Sequence, residues 1–154
     1  MILKKKTFNQ PNNIDYLVYL PDTYYNDEKS YPLVLFLHGA GERGNNVDSI
    51  KKHGIPKRIE EGAHFPFITI APQCRDGIWW SNRENITILE KLMNYSILDL
   101  KVDKKRIYGT GLSMGGFGIL ELALKVPSLF TAIVAICGGT ITNDLSGLEN
   151  TPTW

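Results

Sequence analysis

A chain of 154 residues with 43% hydrophobic and 21% charged residues is enough for one ordinary globular domain and excludes disordered and collagen-like classes. Seventeen Lys and Arg against sixteen Asp and Glu give a formal charge of +1, which leaves no basic footprint for nucleic acid or an acidic membrane surface. Cys74 and Cys137 are too few for a disulfide framework and their spacing fits no metal motif, so free thiols, buried or lining a site, are expected.

The N-terminal Met1-Ile2-Leu3-Lys4-Lys5-Lys6 has basic residues with no apolar segment behind them, and no window approaches a membrane-spanning length. The chain as it stands reads as cytoplasmic and free of membrane contacts, with a secreted parent left open. The short glycosylation patterns at Asn85 and Asn94 do not alter that reading.

Two strand-like pieces open the chain, Lys6-Thr7-Phe8 and Ile14 to Leu20, broken by Asn9 to Asn13 and ended by the turn signal Pro21-Asp22; they predict an antiparallel hairpin. Pro32 to Leu37 is a continuous apolar run, the mark of a strand buried on both faces. It feeds His38-Gly39-Ala40-Gly41-Glu42-Arg43-Gly44, a loop whose backbone either approaches a ligand closely or is plainly flexible. Residues 45 to 64 are polar, with a helix expected from about Pro56 to Glu61. A second buried strand, Phe65 to Pro72, runs into Gln73 to Trp80. Ser81 is the expected cap of the best helix, in which Ile86, Leu89, Met93, Ile97 and Leu100 recur at helical spacing.

A strand at 105–110 then leads into Gly111-Leu112-Ser113-Met114-Gly115, a helix over Phe117 to Leu124 follows, and a last buried strand, Ala132 to Ile136, closes on Cys137-Gly138-Gly139. A serine flanked on both sides by glycine between a strand and a helix fits the sharp turn of a nucleophile elbow. The competing reading is a glycine-rich helix start capped by Ser113. Strands alternating with helices predict an α/β fold: a doubly wound, mostly parallel sheet with helices on both faces and the hairpin at one end, in a single domain over 1–154. The ligand crevice of such sheets lies at the carboxyl ends of the strands, where four unusual loops converge, and this raises the elbow reading of Ser113.

Four stretches in this order, Leu37 to Gly44, Ala71-Pro72-Gln73-Cys74 with Trp79-Trp80, Tyr108 to Gly116 and Ile136 to Gly139, resemble the α/β-hydrolase superfamily. The branch is that of bacterial esterases and predicted peptidases close to phospholipase/carboxylesterase and feruloyl-esterase-like proteins. The resemblance implies acyl transfer to water on a small-molecule or carbohydrate-linked ester, with no cofactor and no metal. Ser113 is the implied nucleophile, and the amides of Ala40 and Met114, with Gly39 beside them, the implied oxyanion hole. Gln73, Trp79 and Trp80 are substrate-site candidates; the two tryptophans either line an acyl or sugar pocket or cover the sheet edge.

A serine hydroxyl needs a base, and this fold orders Ser, acid, His along the chain. His38, His53 and His64 all precede Ser113. The strongest of them, His38, belongs to the oxyanion loop, and Asp144 is either an early acid or a loop residue. The expectation is therefore the N-terminal part of a hydrolase, or a non-catalytic binding module, with acid and histidine beyond Trp154. The strand at 132–136 is then expected to be a bare apolar edge, making the chain a homo-oligomer or poorly soluble.

Overall fold

The computed structural model describes residues 1–9 and 13–154. Strands β1 (Ile2–Phe8) and β2 (Ile14–Leu20) pair antiparallel in full register, Ile2 opposite Leu20 through Phe8 opposite Ile14. The hairpin is as expected but its first strand begins four residues earlier; Gln10 to Asn12 of the expected connection lie outside the described residues. Strand β3 (Tyr31–Leu37), helix α1 (Gly54–Glu60), β4 (Ile68–Pro72), α2 (Arg83–Asp99), β5 (Val102–Leu112), α3 (Met114–Lys125) and β6 (Ala132–Ile136) follow. The sheet order is β1-β2-β4-β3-β5-β6, with β4, β3, β5 and β6 parallel and β2 antiparallel to β4.

The sheet buries both faces at β3 and β4, which are apolar apart from Thr69. Tyr16, Val18, Leu20, Leu33, Leu35, Leu37, Ile68 and Ile70 meet α2 and α3 on one side. Leu17, Tyr19, Phe36 and Ala71 point the other way, onto Ile50 and Ile59. Ile50 sits in a 3₁₀ segment, Val47–Lys52, in a stretch too polar to announce it. At the start of α2 the cap is Asn82 rather than Ser81: its Oδ1 accepts the Glu84 amide at 2.9 Å. Strand β4 is three residues shorter than expected, Phe65 and Phe67 stacking on each other before it begins.

The expectation of a bare edge at β6 is corrected. Ile133 N donates to Pro152 O at 2.9 Å, Trp154 N to Ile133 O at 3.1 Å and Ala135 N to Trp154 O at 2.6 Å, so residues 152–154 begin a further parallel pairing. Val134 and Ile136 on β6 nevertheless stay about half exposed. Among the described residues no helix is long and apolar enough to cross a membrane.

Candidate active site

Ser113 sits in a one-residue turn between β5 and α3 at φ 52, ψ −114, a region L-residues avoid. It is exposed and its side chain makes no capping bond to α3, which removes the reading of Ser113 as an ordinary helix cap. The backbone is held from both sides: Ser113 N donates to Ile136 O at 2.7 Å, and Ser113 O accepts from Phe117 N at 3.1 Å. Two glycines make the turn sterically feasible. A Cβ on Gly115 would stand 1.9 Å from Leu37 O, and one on Gly111 would stand 2.2 Å from Gly115 O. The end of β3 and the start of α3 are thus in direct backbone contact.

That contact brings the loop after β3 beside the serine. Ala40 opens a 3₁₀ turn (Ala40–Glu42) and Met114 opens α3, so neither amide has an acceptor inside its own helix. The carbonyls of the loop, by contrast, are held one by one. His38 O accepts the Trp80 indole N–H at 3.0 Å, and Gly39 O accepts from His38 Nδ1 at 2.7 Å. Ala40 O accepts Arg43 Nε at 3.0 Å, and Glu42 O accepts Gln73 Nε2 at 2.5 Å. In a planar trans peptide, C=O and N–H point opposite ways, so fixing the Gly39 carbonyl fixes the direction of the Ala40 amide.

His38 is fully buried in this arrangement. Its Nε2 accepts the Cys74 amide at 2.9 Å, which a protonated nitrogen cannot do, so the neutral ring carries its hydrogen on Nδ1. Burial, aided by the Arg43 charge, holds its pKa below the ordinary 6.5, against the opposing bond to Gly39 O and the Glu42 carboxylate. Both nitrogens are committed away from Ser113. Each of the other two imidazoles has one nitrogen beside a carboxylate: His53 Nε2 lies 3.5 Å from the buried Glu42 carboxylate, and His64 Nδ1 pairs with Asp22 at 2.6 Å, at the start of the run into β4. The unfolded chain takes up a proton on His38 near pH 6.5 while the folded chain does so only at lower pH. Folding stability is therefore expected to fall as pH drops below about 6.5 toward the folded value, measurable as a declining urea midpoint, and to be constant in this respect above it.

The remaining candidates are not all brought together. Trp79 is about half exposed and stands edge-on to Phe117 at 6.3 Å between ring centroids, one helical turn beyond Ser113. Trp80 is fully buried under Gly118, where a Cβ would meet its own Cβ at 2.4 Å, so it braces the loop instead of lining an open surface. Gln73 is likewise buried and serves the loop through Glu42 O. Asp144 is exposed and accepts the Ser146 amide at 3.0 Å; it borders a concavity of about 740 Å³, with Arg83, Glu121 and Lys125, at the far end of α3 from Ser113. Phe117 was not singled out by the sequence, although its position four residues after Ser113 on one helix face is the signal that finds it.

The two thiols differ. Burial pushes Cys74 up to about 11, whereas Cys137 is exposed next to the carbonyl that anchors Ser113. An alkylating reagent at pH 8 is expected to modify Cys137 and spare Cys74 in the folded chain, with both modified in urea, as read by mass spectrometry.

No family model matches the chain. It is 31% identical over 135 residues to the probable feruloyl esterase C of Aspergillus clavatus, covering 84% of this chain and 48% of that one. It is also 31% identical over 138 residues to feruloyl esterase C of Emericella nidulans, covering 86% and 49%. A thermostable esterase of known structure superposes with a TM-score of 0.83 at 29% identity, over 99% of this chain and 45% of that one. The chain spans about half the length of the curated relatives it matches.

Proposed function

We propose that this chain, which belongs to the α/β-hydrolase superfamily, carries the nucleophile and oxyanion hole of a serine hydrolase acting on carboxylic esters. The observation that carries the reading is Ser113 itself: an exposed hydroxyl without a capping bond, at φ 52, beside a loop whose carbonyls are tied back. Strain of this kind costs about 1–3 kcal/mol and persists where the surroundings over-determine it.

In this reading Ser113 Oγ attacks the ester carbonyl as its proton passes to a base. The negative oxygen of the tetrahedral intermediate receives the N–H groups of Ala40 and Met114. Collapse expels the alcohol, with a proton returned to it, and leaves an acyl-serine that water cleaves in the same two steps to give the acid. At Gly39 a Cβ would stand 3.5 Å from Leu112 O, so the loop lies within contact of the residue before Ser113. Trp79 and Phe117, set edge to face, offer an apolar corner, which suits an aromatic acyl group like that in the relatives' names. Peptide bonds are the lesser variant.

His38 is not the base, since both its nitrogens are engaged elsewhere, and His53 and His64 face the carboxylates of Glu42 and Asp22. The base is to be sought in the half of the relatives' length that this chain does not span. The same observation favours a second reading, a hydrolase-like module that binds esters without turnover. Incubation with a fluorophosphonate probe separates them. Labelling of Ser113 with hydrolysis of an aryl-acyl ester supports the enzyme; saturable ester binding with neither labelling nor turnover supports the module.

A further inference from the structure

We infer that Arg43 is a positioning residue that joins the oxyanion loop to the Trp79 loop, so that the corner contacting the acyl group and the amide receiving the oxyanion move as one unit. The inference rests on the reading of Ser113 and Ala40 given above, and it adds a residue which that reading does not require.

Three observations carry it. First, one guanidinium donates to two backbone carbonyls on different loops: Nε to Ala40 O at 3.0 Å and Nη1 to Ile78 O at 3.4 Å. Ile78 immediately precedes Trp79, and the Ala40 carbonyl lies on the far side of the Cα from the proposed N–H donor, so Arg43 fixes the peptide after Ala40 while His38 fixes the one before it. Second, Arg43 is half-buried and, among the described residues, has no carboxylate partner, so these carbonyls and not an ion pair hold it. A cation left half-buried without a counter-charge is costly, and its retention between two carbonyls points to the geometry it imposes. Third, its backbone amide also reaches Ala40 O at 3.5 Å, so the Ala40 carbonyl takes both donors of one residue and is turned into the protein.

The fork is what matters. A lysine at this position keeps the charge but offers a single ammonium at the end of a flexible stem, which cannot hold two carbonyls of separate loops in fixed directions. Methionine keeps the stem and loses both. Gln73 and Trp80 secure neighbouring carbonyls, at Glu42 and His38, but each does so within its own pair of segments. Trp80, next to Trp79, ties that stretch to His38 O, and Cys74 Sγ also donates to Ile78 O at 3.6 Å; Arg43 adds the tie that ends on Ala40 itself.

The test compares wild-type protein with Arg43→Lys and Arg43→Met by two readouts. By amide hydrogen exchange, segments 40–43 and 78–80 are expected to exchange faster together in both variants, while α2 and α3 are unchanged. By kinetics on an aryl-acyl ester, kcat is expected to fall about 100-fold in both, as for a misplaced reacting geometry, with KM shifted far less. Added guanidinium ion is expected to restore part of kcat in Arg43→Met. Wild-type rates in Arg43→Lys, or faster exchange confined to one loop, overturn the inference. Should wild-type Ser113 neither react with fluorophosphonate nor turn over ester, the proposed function fails, and the paired exchange of the two loops still decides the role of Arg43. Melting curves identify any variant whose loss is one of folding, in which case Arg43→Lys, the milder change, is the deciding protein.

Discussion

Ser113→Ala is expected to abolish fluorophosphonate labelling and, in a protein that also supplies the base, to lower ester turnover by about 10⁶-fold, as when the nucleophile of an acyl-transfer site is removed. It should do so without unfolding the protein, because the hydroxyl makes no capping bond and alanine meets the same strain at φ 52. Ser113→Gly sharpens the test. Glycine adopts this backbone freely, so the variant is expected to be more stable than wild type by about 1–2 kcal/mol while equally inactive, a direct reading of strain kept for the position of one oxygen. A plain helix start predicts the reverse: losing a serine cap to glycine costs a few tenths of a kcal/mol and changes no reactivity. Urea unfolding of the two variants, set beside their labelling, distinguishes the cases. If Ser113→Gly is no more stable than Ser113→Ala, the turn is not strained and its special status falls.

Much of this was legible in the sequence, for a physical reason that also marks where legibility ends. Strands buried on both faces must be apolar nearly throughout, so Leu33 to Leu37, and Ile68 to Ala71 with Thr69 as its one polar residue, declared themselves. Contacts that demand the absence of a side chain leave glycines, so the Gly111 and Gly115 pair exposed the turn at Ser113. What sequence does not carry is which polar residue is turned inward. Glu42 and Arg43 read as surface charges in a loop, yet the Glu42 carboxylate is buried and Arg43 holds two carbonyls. Trp79 and Trp80 are adjacent and alike in composition, but one is half exposed beside Phe117 and the other braces His38 O from the interior. Such divisions are set by the packing of segments distant in sequence, as is the pairing of 152–154 with β6.

Gly115→Ala and Gly41→Ala form the second decisive pair, since both glycines lie in site loops and only one is sterically required. A Cβ at Gly115 would press 1.9 Å from Leu37 O and 2.8 Å from His38 O, backbone atoms of a central strand that cannot yield without moving the sheet. The expected cost is about 3 kcal/mol, the upper range for forced overpacking, or a fall of roughly 6–12 °C in Tm for a domain of this size. Gly41 has nothing within 4 Å of such a Cβ and sits inside the 3₁₀ turn without a positive φ. Its alanine variant is therefore expected to be neutral, or to gain about 0.4–1 kcal/mol through a less flexible unfolded chain. The contrast separates two meanings of glycine near the proposed nucleophile. At 115 its absence of side chain lets the end of β3 and the start of α3 touch, the contact on which the proposed oxyanion site depends. At 41 the backbone keeps its course whichever residue is present. Calorimetry of the two variants side by side is the measurement; equal melting temperatures would mean that the close approach of β3 to α3 is not what holds the loop in place.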